Sequence, residues 1–149
     1  MNQDHIRVVI AEDNAAIRTG IRKMLRKASG IELIAEARNG LEALRIVSEM
    51  APDVLLLDIE MPVLDGIAVT KRLNANAFST TRIIVLSAYT DGEYIREILA
   101  HGASGYLLKD EAPEHIVEAI HDVALGKKNW IAPHEENLSK NKERRNIRP

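Results

Sequence analysis

The chain has 149 residues, of which 46% are hydrophobic and 28% charged, with a formal net charge of −2. That length suits one domain with a short appendage; the apolar fraction excludes a wholly disordered chain, and the absence of Cys excludes disulfides, thiolate nucleophiles and thiolate zinc sites. No apolar run approaches the ~20 residues of a spanning helix, and the N-terminal Met1-Asn2-Gln3-Asp4-His5 lacks the regions of a signal peptide, so a soluble cytoplasmic protein without membrane contact is expected.

The first apolar block, Val8-Val9-Ile10-Ala11, predicts a strand. A helix follows it, with Asn14 as N-cap and Ile17, Ile21, Leu25 and Ala28 on one stripe. Leu33-Ile34-Ala35 predicts the second strand, and Gly40 to Met50 the second helix, where Leu41, Leu44 and Val47 recur every three residues. Val54-Leu55-Leu56-Leu57 is the third strand, and the helix after Leu64 is weaker because Asn74 and Asn76 blunt its pattern. Ile83-Ile84-Val85-Leu86 is the fourth strand. Its helix has Asp91 near the start, Ile95, Ile98 and Leu99 inside, and Gly102 as stop. Gly105-Tyr106-Leu107-Leu108 is the fifth strand, and the last helix has Pro113 in its first turn, Ile116, Ile120 and Val123 inward, and Gly126 at its end.

Unbroken apolar blocks suit strands covered on both faces. Five strand–helix units in succession predict right-handed crossovers and an α/β fold, a parallel sheet with helices on both sides. The domain is expected to span residues 5–126. Residues 1–126 carry 13 Lys and Arg against 19 Asp and Glu, whereas residues 127–149 carry 7 against 3. Lys127 to Pro133 reads as a linker, and Glu135 to Pro149 as a mobile basic tail.

In open α/β sheets, ligands bind beyond the carboxyl ends of the strands. Glu12 and Asp13 follow the first strand, Asp58 ends the third, Ser87-Ala88 the fourth and Lys109-Asp110 the fifth. Three carboxylates, a hydroxyl and an ammonium therefore converge on one edge. Carboxylates within ~5 Å repel by ~3 kcal/mol per pair at an effective dielectric of 20, so some take a proton or a cation neutralises them. Oxygen-only donors favour Mg²⁺ or a similar hard ion over zinc. With Lys109 and Ser87 opposite, the pocket suits a phosphoryl group, and Asp58 is itself a candidate acceptor.

Glu12-Asp13, Asp58 with Met61-Pro62 and Gly66, Ser87-Ala88 and Tyr106-x-x-Lys109 resemble, at matching spacing, the receiver domain of two-component response regulators. Lys109-Asp110-Glu111-Ala112 and the run Ala124 to Pro133 are similar to the subfamily named after nitrate regulators (NarL/LuxR-type). The resemblance implies a flavodoxin-like (βα)5 fold with a five-stranded parallel sheet in the order 2-1-3-4-5. It implies that Asp58 accepts a phosphoryl group from a sensor histidine kinase or phosphotransfer protein. Asp13, Asp58 and the backbone carbonyl of Glu60 would hold Mg²⁺, with Glu12 positioning it. Ser87 and Lys109 would bind phosphoryl oxygens, and Tyr106 would be the switch aromatic. Glu60 and Tyr89 would tune the lifetime of the phosphoryl group, Tyr89 by screening it from water. A homodimer on phosphorylation and a role in transcription are further implications. Only 16 residues follow Pro133, so no DNA binding by this chain alone is expected. Family members often carry Pro after the Lys; here Asp110 stands there, which leaves open whether the Lys109 peptide is cis.

Each residue also has a plainer reading. Glu12, Asp13 and Asp58 could be solvated loop carboxylates, Ser87 a strand-end Ser and Tyr106 a packed aromatic. Asp53 reads as a strand-entry residue, Asp65 as a turn or cap residue, and His115 and His121 as surface positions. A degenerate receiver-like binding module remains an alternative. A phosphatase with Asp58 as nucleophile is disfavoured because Glu60 stands where such enzymes carry a second Asp, and 3% aromatic residues argue against a flavin binder.

Overall fold

The computed structural model describes residues 5–89 and 91–132; the tail expected from Glu135 to Pro149 lies outside them. Strands and helices alternate along the described chain: β1 (Ile6–Ala11), α1 (Ala15–Lys27), β2 (Ile31–Ala37), α2 (Gly40–Met50), β3 (Val54–Asp58), α3 (Gly66–Ala75), β4 (Arg82–Ser87), α4 (Gly92–Ala100), β5 (Gly105–Leu108), α5 (Ala112–Ala124) and β6 (Trp130–Ile131). A 3-10 turn, Lys109–Glu111, joins β5 to α5.

The sheet is wholly parallel, in the order β2-β1-β3-β4-β5-β6. The expected order of the first five strands holds, but the expectation of a five-stranded sheet is corrected to six. The extra strand lies in the segment that reads as a linker. Trp130 donates its amide to the Ser104 carbonyl (2.9 Å) and its indole N–H to Asp122 (2.9 Å). Its side chain packs over Gly105, where an added Cβ would come within 3.2 Å of the Trp130 Cβ. Burial of one large aromatic and these bonds hold a pair of residues too short to show a period of its own.

Alternation along the strands splits the core into two layers. Val9, Leu55, Leu57, Val85 and Tyr106 face α2, α3 and α4, while Val8, Ile10, Leu56, Ile84, Leu86 and Leu107 face α1 and α5. The caps agree with the sequence: Asn14 accepts from the Ile17 amide, Asp65 from that of Ala68 and Asp91 from that of Glu93. Asp53 accepts from the Arg7 amide at the strand entry (2.8 Å). No cis peptide bond occurs among the described residues, so the Lys109–Asp110 bond is trans.

Parallel direction brings the carboxyl ends of β1, β3, β4 and β5 to one edge. Register sets Asp58 opposite Leu86 and Ser87 opposite Leu108. Gly66 lets α3 start against the Asp58 strand end, since a Cβ there would lie 2.5 Å from the Asp58 carbonyl oxygen.

Candidate functional site

Glu12 and Asp58 are buried at 0% and 1% exposure, unusual for carboxylates, whereas Asp13 is exposed. One carboxylate oxygen from each of the three lies within 4.8 Å of the others. Lys109 projects between the two buried groups, with its ammonium 3.1 Å from Asp58 Oδ1 and 3.5 Å from Glu12 Oε1. Asp58 Oδ1 also accepts the Glu60 amide (3.2 Å), and Glu12 Oε2 accepts the Asn14 amide (3.1 Å). Asp58 Oδ2 is buried without a hydrogen-bond partner, and so is Glu12 Oε1, which meets Lys109 only at ion-pair distance.

Burial pushes the Glu12 carboxyl up to about 7, aided by the Asp58 charge and opposed by the Asn14 amide and Lys109. Burial pulls the Lys109 ammonium down, but its hydrogen bond to Asp58 and the charges of Asp58 and Glu12 outweigh this and raise it. The site thus holds more negative charge than its one ammonium balances. The carboxylates of Glu12, Asp13 and Asp58, too few of their oxygens hydrogen-bonded, form an all-oxygen donor set, which fits a hard divalent cation such as Mg²⁺.

The rest of the expected site lies around this pocket. Ser87 is buried at the end of β4 and its hydroxyl accepts the Tyr89 amide (3.0 Å). Tyr106 is fully buried, and its hydroxyl donates to the Tyr89 carbonyl (2.6 Å). Tyr89 is half exposed, donates its hydroxyl to the Glu60 carboxylate (3.2 Å) and meets Tyr94 edge-on at 5.0 Å. The Tyr89 phenol is raised by the Glu60 charge, then by their hydrogen bond. Glu60, Ser87, Tyr89 and Tyr106 are therefore one linked loop system beside Asp58. His115 and His121 sit away from it, His121 against the Ser29 carbonyl (3.2 Å). Among the described residues, the acidic trio is the one group suited to a metal ion.

Two contributions to the pocket were missed in the sequence, where Asn14 reads only as an N-cap and Arg18 has no role. Asn14 acts twice, capping α1 with its side chain and binding Glu12 with its amide. Arg18 donates to the Glu12 carbonyl (2.8 Å) and pairs with Glu36 (3.2 Å). Its helical position alone reads as an ordinary half-exposed arginine.

Residues 8–121 match the family model of the response regulator receiver domain. The Bacillus subtilis transcriptional regulatory protein YhcZ is 39% identical over 131 residues, covering 87% of this chain and 61% of that protein. The oxygen regulatory protein NreC of Staphylococcus aureus strain JH9 is 38% identical over 122 residues, covering 81% of this chain and 56% of that one. The chain thus spans somewhat over half the length of these relatives. The signal receiver domain of NarL from Mycobacterium tuberculosis superposes with a TM-score of 0.79 at 33% identity, covering 84% of this chain and all of that one. The isolated receiver domain of RcsB from Salmonella enterica serovar Typhimurium, in the presence of the phosphomimetic BeF3⁻, gives 0.81 at 26% identity, covering 90% and 98%.

Proposed function

The chain belongs to the response regulator receiver family, of the type found in NarL- and LuxR-family regulators, and from this we propose that it accepts a phosphoryl group on Asp58 from the phosphohistidine of a sensor histidine kinase or phosphotransfer protein. The observation that carries the reading is Asp58 Oδ2, a buried carboxylate oxygen with no partner, whose twin Oδ1 is held by Lys109 and the Glu60 amide. Oδ2 keeps its lone pairs for attack while Oδ1 is fixed. An O–P bond forms at Oδ2 as the P–N bond breaks, and its electron pair stays on the donor imidazole. Lys109 is placed to balance the incoming phosphoryl charge, and the Ser87 hydroxyl, which spends an acceptor site on Tyr89, keeps its proton to donate.

Asp13, Asp58 and the Glu60 carbonyl would hold Mg²⁺, with Glu12 behind them. When bound, the cation would neutralise the carboxylates and draw in phosphoryl oxygens. In this reading Tyr106 is the switch aromatic, because its hydroxyl already grips the loop that carries Tyr89 next to Ser87. Tyr89 shields the acyl phosphate, so Tyr89→Ala is expected to shorten its lifetime in a timed dephosphorylation assay. The chain turns over no external substrate; it is a cytoplasmic switch for an output that in the longer relatives is transcription, with dimerisation on phosphorylation as the step between. Residues 5–126 make up the switch and residues 127–149 its linker and tail, the linker adding β6 to the switch's sheet.

The test is incubation with a small acyl phosphate donor and Mg²⁺, read by intact mass. A gain of one phosphoryl group that disappears in Asp58→Asn is expected. An unmodified wild-type protein would instead favour a receiver-like module that only binds partners.

A further inference from the structure

We propose that Arg18 is a positioning residue for the acidic pair: its guanidinium, braced on Glu36, fixes the Glu12–Asp13 peptide so that Asp13 points at the cation position. The inference rests on the Mg²⁺ reading of the pocket.

Asp13 is exposed, so no packing orients its carboxylate; its direction comes from the backbone. That backbone is pinned on one side by the Glu12 amide, which donates to the Ala37 carbonyl at 3.0 Å. On the other side stands Arg18, whose Nη1 donates to the Glu12 carbonyl at 2.8 Å. The Glu12 carbonyl and the Asp13 amide share one rigid plane, so fixing the carbonyl fixes where the Asp13 residue starts. Without Arg18 the Glu12 carbonyl loses this donor, and the plane is held only through the Glu12 amide before it and the Asn14 amide after it, which leaves Asp13 more room to swing.

Arg18 can do this because it cannot wander. Its side chain is 11% exposed, and its Nε lies 3.2 Å from Glu36 Oε1. Glu36 is in turn locked by a two-pronged contact from Arg22, at 2.7 and 2.8 Å. Arg22 shares the ion pair but not the Glu12 carbonyl, and that difference separates positioning from mere stability. Loss of a group that holds a metal-binding residue in place typically changes metal affinity by about 10–100-fold.

Calorimetric titration of Mg²⁺ into the wild type, Arg18→Ala and Arg22→Ala, together with amide exchange at residues 12–14 in Mg²⁺-free protein, decides the matter. Arg18→Ala is expected to weaken Mg²⁺ binding about tenfold and to speed exchange at Asp13 and Asn14. Arg22→Ala is expected to lower the unfolding midpoint but to change Mg²⁺ affinity and exchange far less than Arg18→Ala does, because Arg18 keeps its own contacts with Glu36 and with the Glu12 carbonyl. Equal effects of the two variants on affinity, or none from Arg18→Ala, would overturn the proposal. Should Arg18→Ala not fold, Arg18→Lys keeps the charge beside Glu36 but offers one ammonium for two acceptors, and must weaken binding in the same direction. A wild type that binds no Mg²⁺ defeats the functional reading; the exchange comparison still decides whether Arg18 orders the pair.

Discussion

Glu12 at the end of β1 and Glu36 near the end of β2 stand one strand apart, and Arg18 touches both residues. Glu36 meets two guanidinium groups, and Arg22 donates to both of its carboxylate oxygens. Glu12 and Asp58 are more deeply buried, yet they share one ammonium and each keeps an oxygen that accepts no hydrogen bond. An interior built only for stability would have reversed this allocation, because unpaired buried carboxylates are costly. The Glu36 centre is complete as it stands. The Asp58 centre is left short of positive charge and hydrogen-bond donors, which is the condition for receiving a cation and a phosphoryl group.

The largest expected effect comes from removing the one positive charge in the Asp58 pocket. Lys109→Ala leaves Glu12 and Asp58 facing each other with no counter-charge, at an expected cost of about 3 kcal/mol in urea unfolding. Saturating Mg²⁺ is expected to recover a larger share of stability in this variant than in the wild type. If Lys109→Ala unfolds at the wild-type midpoint, the pocket is not short of charge and the contrast with Glu36 fails.

Binding of the cation gives a smaller effect. Mg²⁺ at ten times its dissociation constant is expected to stabilise the wild type by about 1.4 kcal/mol, or about 3–5 °C in thermal midpoint. Asp13→Asn, at an exposed position with little packing to lose, is expected to fold normally and to lose most of that shift. A full shift in Asp13→Asn would remove Asp13 from the site.

The Asp58 half of this contrast was legible in the sequence, for identifiable reasons, whereas the Glu36 half was not. The strands are blocks such as Val54-Leu55-Leu56-Leu57, apolar on both faces because helices cover both faces. The site residues follow those blocks directly, so strand ends and parallel direction suffice to bring Asp58, Ser87 and Lys109 together. β6 escaped because Trp130 is held by partners distant in sequence, Ser104 and Gly105, and by Asp122 on the preceding helix. Arg18 escaped for the same reason. Its partners are a carbonyl six residues back and a carboxylate on β2, and a helical wheel reports neither. Local pattern predicts elements; contacts between elements decide which charged residues carry a task.

The smallest effect tests the complete centre. Glu36→Gln keeps the shape of the side chain and removes its charge, at an expected cost of about 1 kcal/mol at pH 7, since the pair is partly exposed. The hydrogen bond from Arg22 holds the Glu36 carboxyl below the usual carboxylate range against the opposing pull of burial, with the charges of Arg22, Arg18 and Arg26 assisting. A depressed folded value means that the unfolded chain takes up the proton first. The stabilisation is then fully present above the ordinary value of about 4.3 and is lost as pH falls through the lower folded one. Urea midpoints of wild type and Glu36→Gln should therefore stay apart from neutral pH down to about 5 and converge in more acidic solution. A gap that persists undiminished in acid would mean that Glu36 stabilises through packing, and the two centres would no longer differ in how they use charge.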